Sequence, residues 1–511
     1  MLFRGAPLPR LCHLAARNYH CAHEYDRRPT PFRPLAAPNP HGIDLAVAFL
    51  FVGYIHRLLH PRRHELITTN RSADVLVTRE NILLSSASSR RTQATEIQPR
   101  SSTPFWAIRD QIAGAIKSNM ATQYTPKTDT PLNWKTTSID AEPALGLVNW
   151  DALKQYAISV KRRDDGSQTS ACELSSEYNT GGLHAVRRID FDDGCRWVAR
   201  LQLHRQTLES RQRLLHEVHT MGLVRERSRI PVPKIFAYEA HDDNPVGAAF
   251  MLMEFVSGDT AMDSFGGWDV HKGEVPSRFR EKYFTALAEL QVEMASLRFP
   301  RIGSIQRING NYEVGPIPGL GGPFDSAADY FEAWAKKAKF PYDEDIIRQR
   351  TPKKLAKDVL SSIRAFPSQL GQLARHLPLQ SGPFPLIHTD LYGSNIIIDS
   401  DFTILSIIDW ENALVSPWEF VEFMKDLSMV PPVMDGPLYR ETVETRLRRD
   451  DQRKYIALVE KTERVQHRDG KLSAALRNNA MQNLAQAAWL YLDGRIGLYA
   501  KVLEELKPTL N

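Results

Sequence analysis

Polar and apolar positions divide the chain into three textures. Up to about residue 130 no regular period is visible, and Pro, Ser and His are frequent. From Trp134 regular elements begin, and "NWDALKQYAISV" predicts a short helix capped by Asn149. Three alternating runs then predict an antiparallel meander. "ACELSSEY" leads through Asn179, Thr180, Gly181 and Gly182 into "LHAVRRIDF", and Asp193-Gly194 turns that run into "CRWVARLQL". A helix over residues 207–224 comes next, then Pro231 and Pro233, then two strand-like runs, "KIFAYEA" and "AAFMLMEFV". Five strands and one helix make a small lobe.

After Gly258 the period turns helical, with Phe279, Tyr283, Leu287 and Leu290 on one face of "SRFREKYFTALAELQVEMASL". The chain closes with a second such pattern, "LSAALRNNAMQNLAQAAWLYL". Between them, "LIHTDLYGSNIIIDSDFTILSIIDWE" sets a His, several Asp and an Asn among Ile and Leu, and a core tolerates such groups only where each finds a partner. The expected fold class is α+β: a leader over 1–130, a lobe of small antiparallel sheet plus helix over 131–256, and a larger, mostly helical lobe over 257–511. No internal repeat of solenoid or propeller period is present.

Composition narrows the function classes. The 511 residues allow two or three domains, and a net charge of +5, with both signs mixed, makes no case for nucleic acid. Cys12, Cys21, Cys172 and Cys195 match neither a disulfide framework nor a zinc site, which fits a reducing compartment. The leader contains Arg but no Lys before Lys117, and Arg4, Arg10 and Arg17 precede its first acid, Glu24. That is the charge pattern of a mitochondrial presequence, although Pro7 and Pro9 interrupt the helix such a signal needs. The cytoplasm is the expected location, with mitochondrial import as the alternative. The apolar run over 45–55 is too short to span a bilayer, so no transmembrane segment is expected.

The chemistry concentrates after Leu386. Asp390 and Asn395 fall on the loop that follows a strand-like run, and Asp409 ends the next run, "TILSIID". Carboxylate, amide and carboxylate can then converge at one mouth. Asn395 and Asp409 suit a hard cation such as Mg²⁺, which keeps phosphate and water in its other positions. Asp390 is left free to accept the proton of a hydroxyl beside a metal-bound triphosphate, and His388 is expected to brace the loop. The alternative is an ordinary loop, since Asp and Asn favour turns.

At these residues the sequence resembles the kinase-like fold and, more closely, the aminoglycoside phosphotransferase family of small-molecule kinases. In that family H-x-D-x-x-x-x-N is followed by I-D-W/F-E, and "HTDLYGSN" and "IIDWE" match both. The likeness runs from about Leu174 to the C-terminal helices, and "NTGGLHAVRRIDFDDGCRWVARLQL" is similar to the N-lobe of the family's large fungal branch. The resemblance implies a two-lobed protein-kinase-like fold, ATP and Mg²⁺ as cofactors, Asp390 as catalytic base and Asn395 and Asp409 as metal ligands. It also implies a hinge at Glu254, Phe255 and Val256 holding adenine through backbone groups, where a plain core strand is the alternative.

One departure stands out. Kinase-like N-lobes place a Lys on the third strand to hold the α- and β-phosphates, and this chain has Arg200 in "WVAR". Arg keeps the charge and offers a planar fork to phosphate oxygens. Its expected partner is Glu217, which shares a helix face with Leu214, Val218 and Met221; the alternative is an ion pair without catalytic meaning. Gly181 and Gly182 serve a hairpin turn, with phosphate contact as a secondary gain.

The expected activity is ATP-dependent, Mg²⁺-assisted phosphoryl transfer to a hydroxyl of a small-molecule acceptor. A nucleotide-binding pseudokinase or scaffold, motivated by the absent Lys, is the alternative. Protein kinase activity is disfavoured by "DWE" where protein kinases carry D-F-G and by the lack of a following A-P-E. Glu411, Glu419, Glu422 and Asp426 either form an acidic wall for a cationic acceptor or cap helices and face water.

Overall fold

The computed structural model describes residues 142–509 apart from 167, 273 and 379, so the leader with its presequence-like charge pattern, Cys12 and Cys21 lie outside the described residues. Asn149 caps the first helix by accepting the Ala152 N–H at 3.0 Å. The helix α1 (Trp150–Asp165) is longer than its sequence signal and ends at Gly166, whose φ of 68° is left-handed. It lays Leu153, Ala157 and Ile158 on one face of a five-stranded antiparallel sheet. The strands are β1 (Cys172–Thr180), β2 (His184–Phe191), β3 (Arg196–Gln202), β4 (Ile235–Glu239) and β5 (Phe250–Glu254), in the order β1-β2-β3-β5-β4.

The two-residue period of β3 decides which side each residue serves. Trp197, Ala199 and Leu201 join the cluster under α1, so Arg200 emerges on the opposite face. There α2 (Leu208–Arg227) packs Leu214 and Val218 on Ala249 and Met251. Thr207 and Ser210 close a reciprocal capping box at its start. The helix continues three residues beyond the sequence pattern, its last turn held where Arg225 donates to the Val232 carbonyl at 2.9 Å.

The larger lobe begins with α3 (Ser277–Ser296), whose Tyr283 and Leu287 are fully buried. It then departs from the helical expectation with a hairpin, β6 (Ser304–Ile308) and β7 (Asn311–Gly315). Asn309 and Gly310 at its tip both have positive φ, 49° and 85°, the turn that matches strand twist. The hairpin reaches back to α2. Tyr312 Oη donates to Glu226 at 2.8 Å, and Arg227 and Arg307 lie over its ring. Gly222 makes the approach possible, because a Cβ there would meet Tyr312 Oη at 2.6 Å. Gly222→Ala is therefore expected to lower stability by about 1 kcal/mol or more despite alanine's better helix propensity. Adding Tyr312→Phe should restore it, and thermal unfolding of the two variants decides; equal destabilisation in both would contradict the account.

The rest of the lobe includes α4 (Ala356–Leu373), β8 (Phe384–Ile387), β9 (Ile396–Ile398), β10 (Ile404–Ile407), α5 (Val443–Val465), α6 (Lys471–Arg477), α7 (Asn479–Asp493) and α8 (Tyr499–Leu506). The closing pattern, read as one helix, breaks at Asn478, whose side chain accepts the Met481 N–H and starts α7. Among the described residues no helix is long and apolar enough to cross a membrane.

Candidate active site

The loop between β8 and β9 carries His388, Asp390 and Asn395. Asn395 Nδ2 donates to the Asp390 carbonyl at 2.8 Å and to its Oδ2 at 3.2 Å, so the amide holds the carboxylate and turns its own carbonyl end elsewhere. The other carboxylate oxygen, Oδ1, is buried without a hydrogen-bond partner. An orphaned buried acceptor of this kind is costly unless a ligand completes it. Burial, reinforced by the Asp409 charge, pushes the Asp390 carboxyl up to about 6, against the opposing pull of Lys425 and Asn395.

His388 has both ring nitrogens engaged. Nδ1 accepts the Asp390 N–H at 3.2 Å and Nε2 donates to the Ile408 carbonyl at 3.0 Å, a pairing that assigns the neutral tautomer. Burial, the largest effect, lowers its pKa and agrees with that assignment. The imidazole ties the loop to the strand end that presents Asp409. There the Ile408 N–H bonds the Asn395 carbonyl of the backbone at 2.9 Å, and Asp409 follows at φ 65°, a left-handed conformation that Asp tolerates.

Across the lobes, Arg200 meets three carboxylates. It pairs with Glu217 on α2, reaches Asp409 Oδ1 at 2.9 Å and reaches Glu411 Oε2 at 3.2 Å. His184 lies 3.6 Å from Glu411, and Arg213 lies 4.0 Å from it. Glu411 as a partner of Arg200 was not legible in the sequence, because the contact joins residues more than 200 positions apart. Asp426 was missed likewise: its Oδ2 accepts the Gly393 N–H at 2.8 Å and so pins the loop from below, and burial pushes its carboxyl up to about 6.

The acidic wall, one of the two readings of these acids, does not form. Glu411 faces Arg200, Glu422 pairs with buried Lys425, Asp426 is taken by Gly393, and Glu419 is fully buried, so these acids neither face water nor stand ready for a cation. Gly181 closes the β1–β2 turn by donating its N–H to the His184 carbonyl at 2.8 Å, and the Gly182 carbonyl meets His204 Nε2 at 3.1 Å. The Gly181 N–H is thus spent within the hairpin rather than offered to phosphate. Glu254 accepts the Lys234 N–H at 3.0 Å, and Glu254, Phe255 and Val256 line an open pocket of about 460 Å³ with Ile230, Val232 and Leu405.

Among the described residues no group of three or more His, Cys, Asp or Glu is arranged to hold a metal. The Asn395 amide oxygen, turned away from Asp390, and the Asp409 carboxylate would be the residues to hold Mg²⁺, an ion commonly bound by one or two protein oxygens with phosphates and waters.

A small antiparallel sheet covered by α1 on one face and α2 on the other, set on a larger helical lobe that brings Asp409 to the sheet's Arg200 beside the loop of Asp390 and Asn395, is the architecture of the kinase-like fold. The sequence model of the phosphotransferase enzyme family matches residues 177–420, a little under half of the chain. A subtelomeric hrmA-associated cluster protein of Aspergillus fumigatus is 34% identical over 89 residues, 17% of this chain and 16% of the relative. "Altered inheritance of mitochondria protein 9, mitochondrial" of Yarrowia lipolytica is 23% identical over 313 residues, 49% of this chain and 51% of the relative. The chain thus spans about half, or less, of the length of these curated relatives. Among solved structures, a putative aminoglycoside phosphotransferase of Ralstonia eutropha aligns at 18% identity and a TM-score of 0.38, covering 71% of this chain and 95% of that one. An ethanolamine kinase of Plasmodium vivax aligns at 14% identity and a TM-score of 0.38, covering 74% and 98%.

Proposed function

We propose that the chain transfers the γ-phosphoryl group of ATP to a hydroxyl of a small molecule. The observation that carries this reading is the Asp390 carboxylate: one oxygen held by Asn395, the other buried and unpartnered. A base needs that arrangement, because the held oxygen fixes orientation and the orphaned one receives the acceptor's proton. Asn395 and Asp409 would hold Mg²⁺, which when bound offsets the charge on the β- and γ-phosphates. Arg200 would exchange its bond to Asp409 for phosphate oxygens while Glu217 keeps its guanidinium in place. The backbone at Phe255 and Val256 would receive adenine.

The test is metal-dependent ATP hydrolysis, with water standing in for the acceptor, followed by a panel of hydroxyl compounds. Hydrolysis by the wild type no greater than by Asp390→Asn, with no acceptor phosphorylated, would leave nucleotide binding alone. That second reading, a scaffold, is favoured by Arg200 in place of Lys. The names of the yeast relatives and the Arg-rich first residues together support mitochondrial import of the full-length chain. Imaging of a C-terminally tagged chain tests this, and a purely cytosolic signal would reject it.

A further inference from the structure

Below the Asp390 loop, the segment holding Glu422, Lys425 and Asp426 runs against the loop backbone: the Lys425 N–H donates to the Leu391 carbonyl at 2.9 Å, one residue from Asp390. Lys425 is 3% exposed, and its side chain pairs with Glu422. Its ammonium also sits 3.7 Å from the centre of the Trp489 ring on α7. Gln486, one helical turn before Trp489, donates to the second Glu422 oxygen. A carboxylate and an indole face around an ammonium are the parts of a cation-binding box. Here the cation belongs to the chain.

We propose that Lys425 fills the cation site of the acceptor pocket with its own ammonium, so that the acceptor alcohol is uncharged or anionic rather than an amino alcohol. The proposal rests on the phosphotransfer reading and narrows its substrate class. Three observations support it. The remaining enclosed space between Glu422, Lys425, His388 and Leu391 is about 20 Å³, room for a single water and not for a substituted ammonium. The other acids expected around the mouth are engaged: Glu411 with Arg200, and Asp426 with Gly393. The Lys425 N–H bonds the Leu391 carbonyl, next in the chain to Asp390, so the pair lies beside the loop that carries the proposed base. A second cation brought there would face Lys425 with its counter-ion already taken, which is a device for rejecting a ligand rather than for binding one.

Two measurements on the full chain decide. In acceptor-dependent phosphorylation, sugars, polyols and hydroxy acids are expected to exceed choline and ethanolamine by at least about tenfold in kcat/KM. In calorimetry, wild type should bind no choline at millimolar concentration. Lys425→Met, which leaves Glu422 unpaired beside Trp489, should gain choline affinity by about tenfold or more. The double variant Lys425→Met with Glu422→Gln, which restores neutrality if the single variant fails to fold, should lose that gain and still reject choline. An amino alcohol as the best wild-type acceptor, or a folded Lys425→Met with no choline binding, overturns the proposal. Choline binding needs no turnover, so absent ATP hydrolysis with the calorimetric pattern intact would count against phosphotransfer and not against the filled cation site.

Discussion

Asp390→Asn is expected to lower phosphoryl transfer by about 10²- to 10⁴-fold, the usual contribution of a positioned base, with nucleotide affinity nearly unchanged. The substitution keeps shape and the contact with Asn395 while removing the group that receives the proton. The pH dependence follows from burial. With the carboxyl raised to about 6, wild-type turnover should climb with a one-proton slope through that pH and level off about one unit above it. Stability runs the other way. A carboxyl raised in the folded state favours folding while protonated, and that contribution is lost as pH rises from its usual 3.8 through about 6. Asp390→Asn should therefore melt no lower than wild type at pH 8, although it is nearly inactive. A variant that keeps turnover, or one that loses both turnover and melting temperature, would sink the assignment of Asp390 as base.

The Arg200 cluster gives the second large effect. Arg200→Ala is expected to weaken ATP binding and turnover together by about 10- to 100-fold, the range of one or two charge-assisted hydrogen bonds. It also leaves Glu217 buried without its cation, which costs about 3–5 kcal/mol of stability in comparable cases. Arg200→Lys should recover part of each, since the charge returns without the fork. Asp409→Ala separates the two partners of this guanidinium: it should abolish the Mg²⁺-dependent part of ATP affinity while leaving the Arg200–Glu217 pair intact. Calorimetry with and without Mg²⁺ reads both. An unchanged metal-dependent affinity in Asp409→Ala removes that residue from the metal site.

What could be read from the sequence was local. His388, Asp390 and Asn395 stand within eight residues on one loop, and the strand that precedes Asp409 announces itself by its Ile and Leu, so their convergence needed only short-range geometry. The meander of β1, β2 and β3 was legible for the same reason, its turns marked by Gly pairs and Asp-Gly. The hairpin of β6 and β7 carries an equally plain signal, Asn309-Gly310 between alternating residues, but lies in a stretch whose dominant period is helical. The partners of Glu411, Asp426 and Lys425 are not legible in the sequence because they lie elsewhere in the chain. Arg200 is 211 residues from Glu411, and Trp489 is 64 from Lys425. No periodicity reports contacts of that range.

The bond between Tyr312 and Glu226 bears on how the cleft works. It fastens α2 to the larger lobe, although α2 belongs to the sheet by chain order. If the lobes part, the seam then opens between sheet and helix, through the contact of Arg200 with Glu217, rather than between helix and the larger lobe. Hydrogen exchange would show it as amides of α2 protected together with α3 and not with β3; protection shared with β3 would refute it. Were nucleotide bound as proposed, its departure and the loosening of Arg200 from Glu217 would then be a single movement.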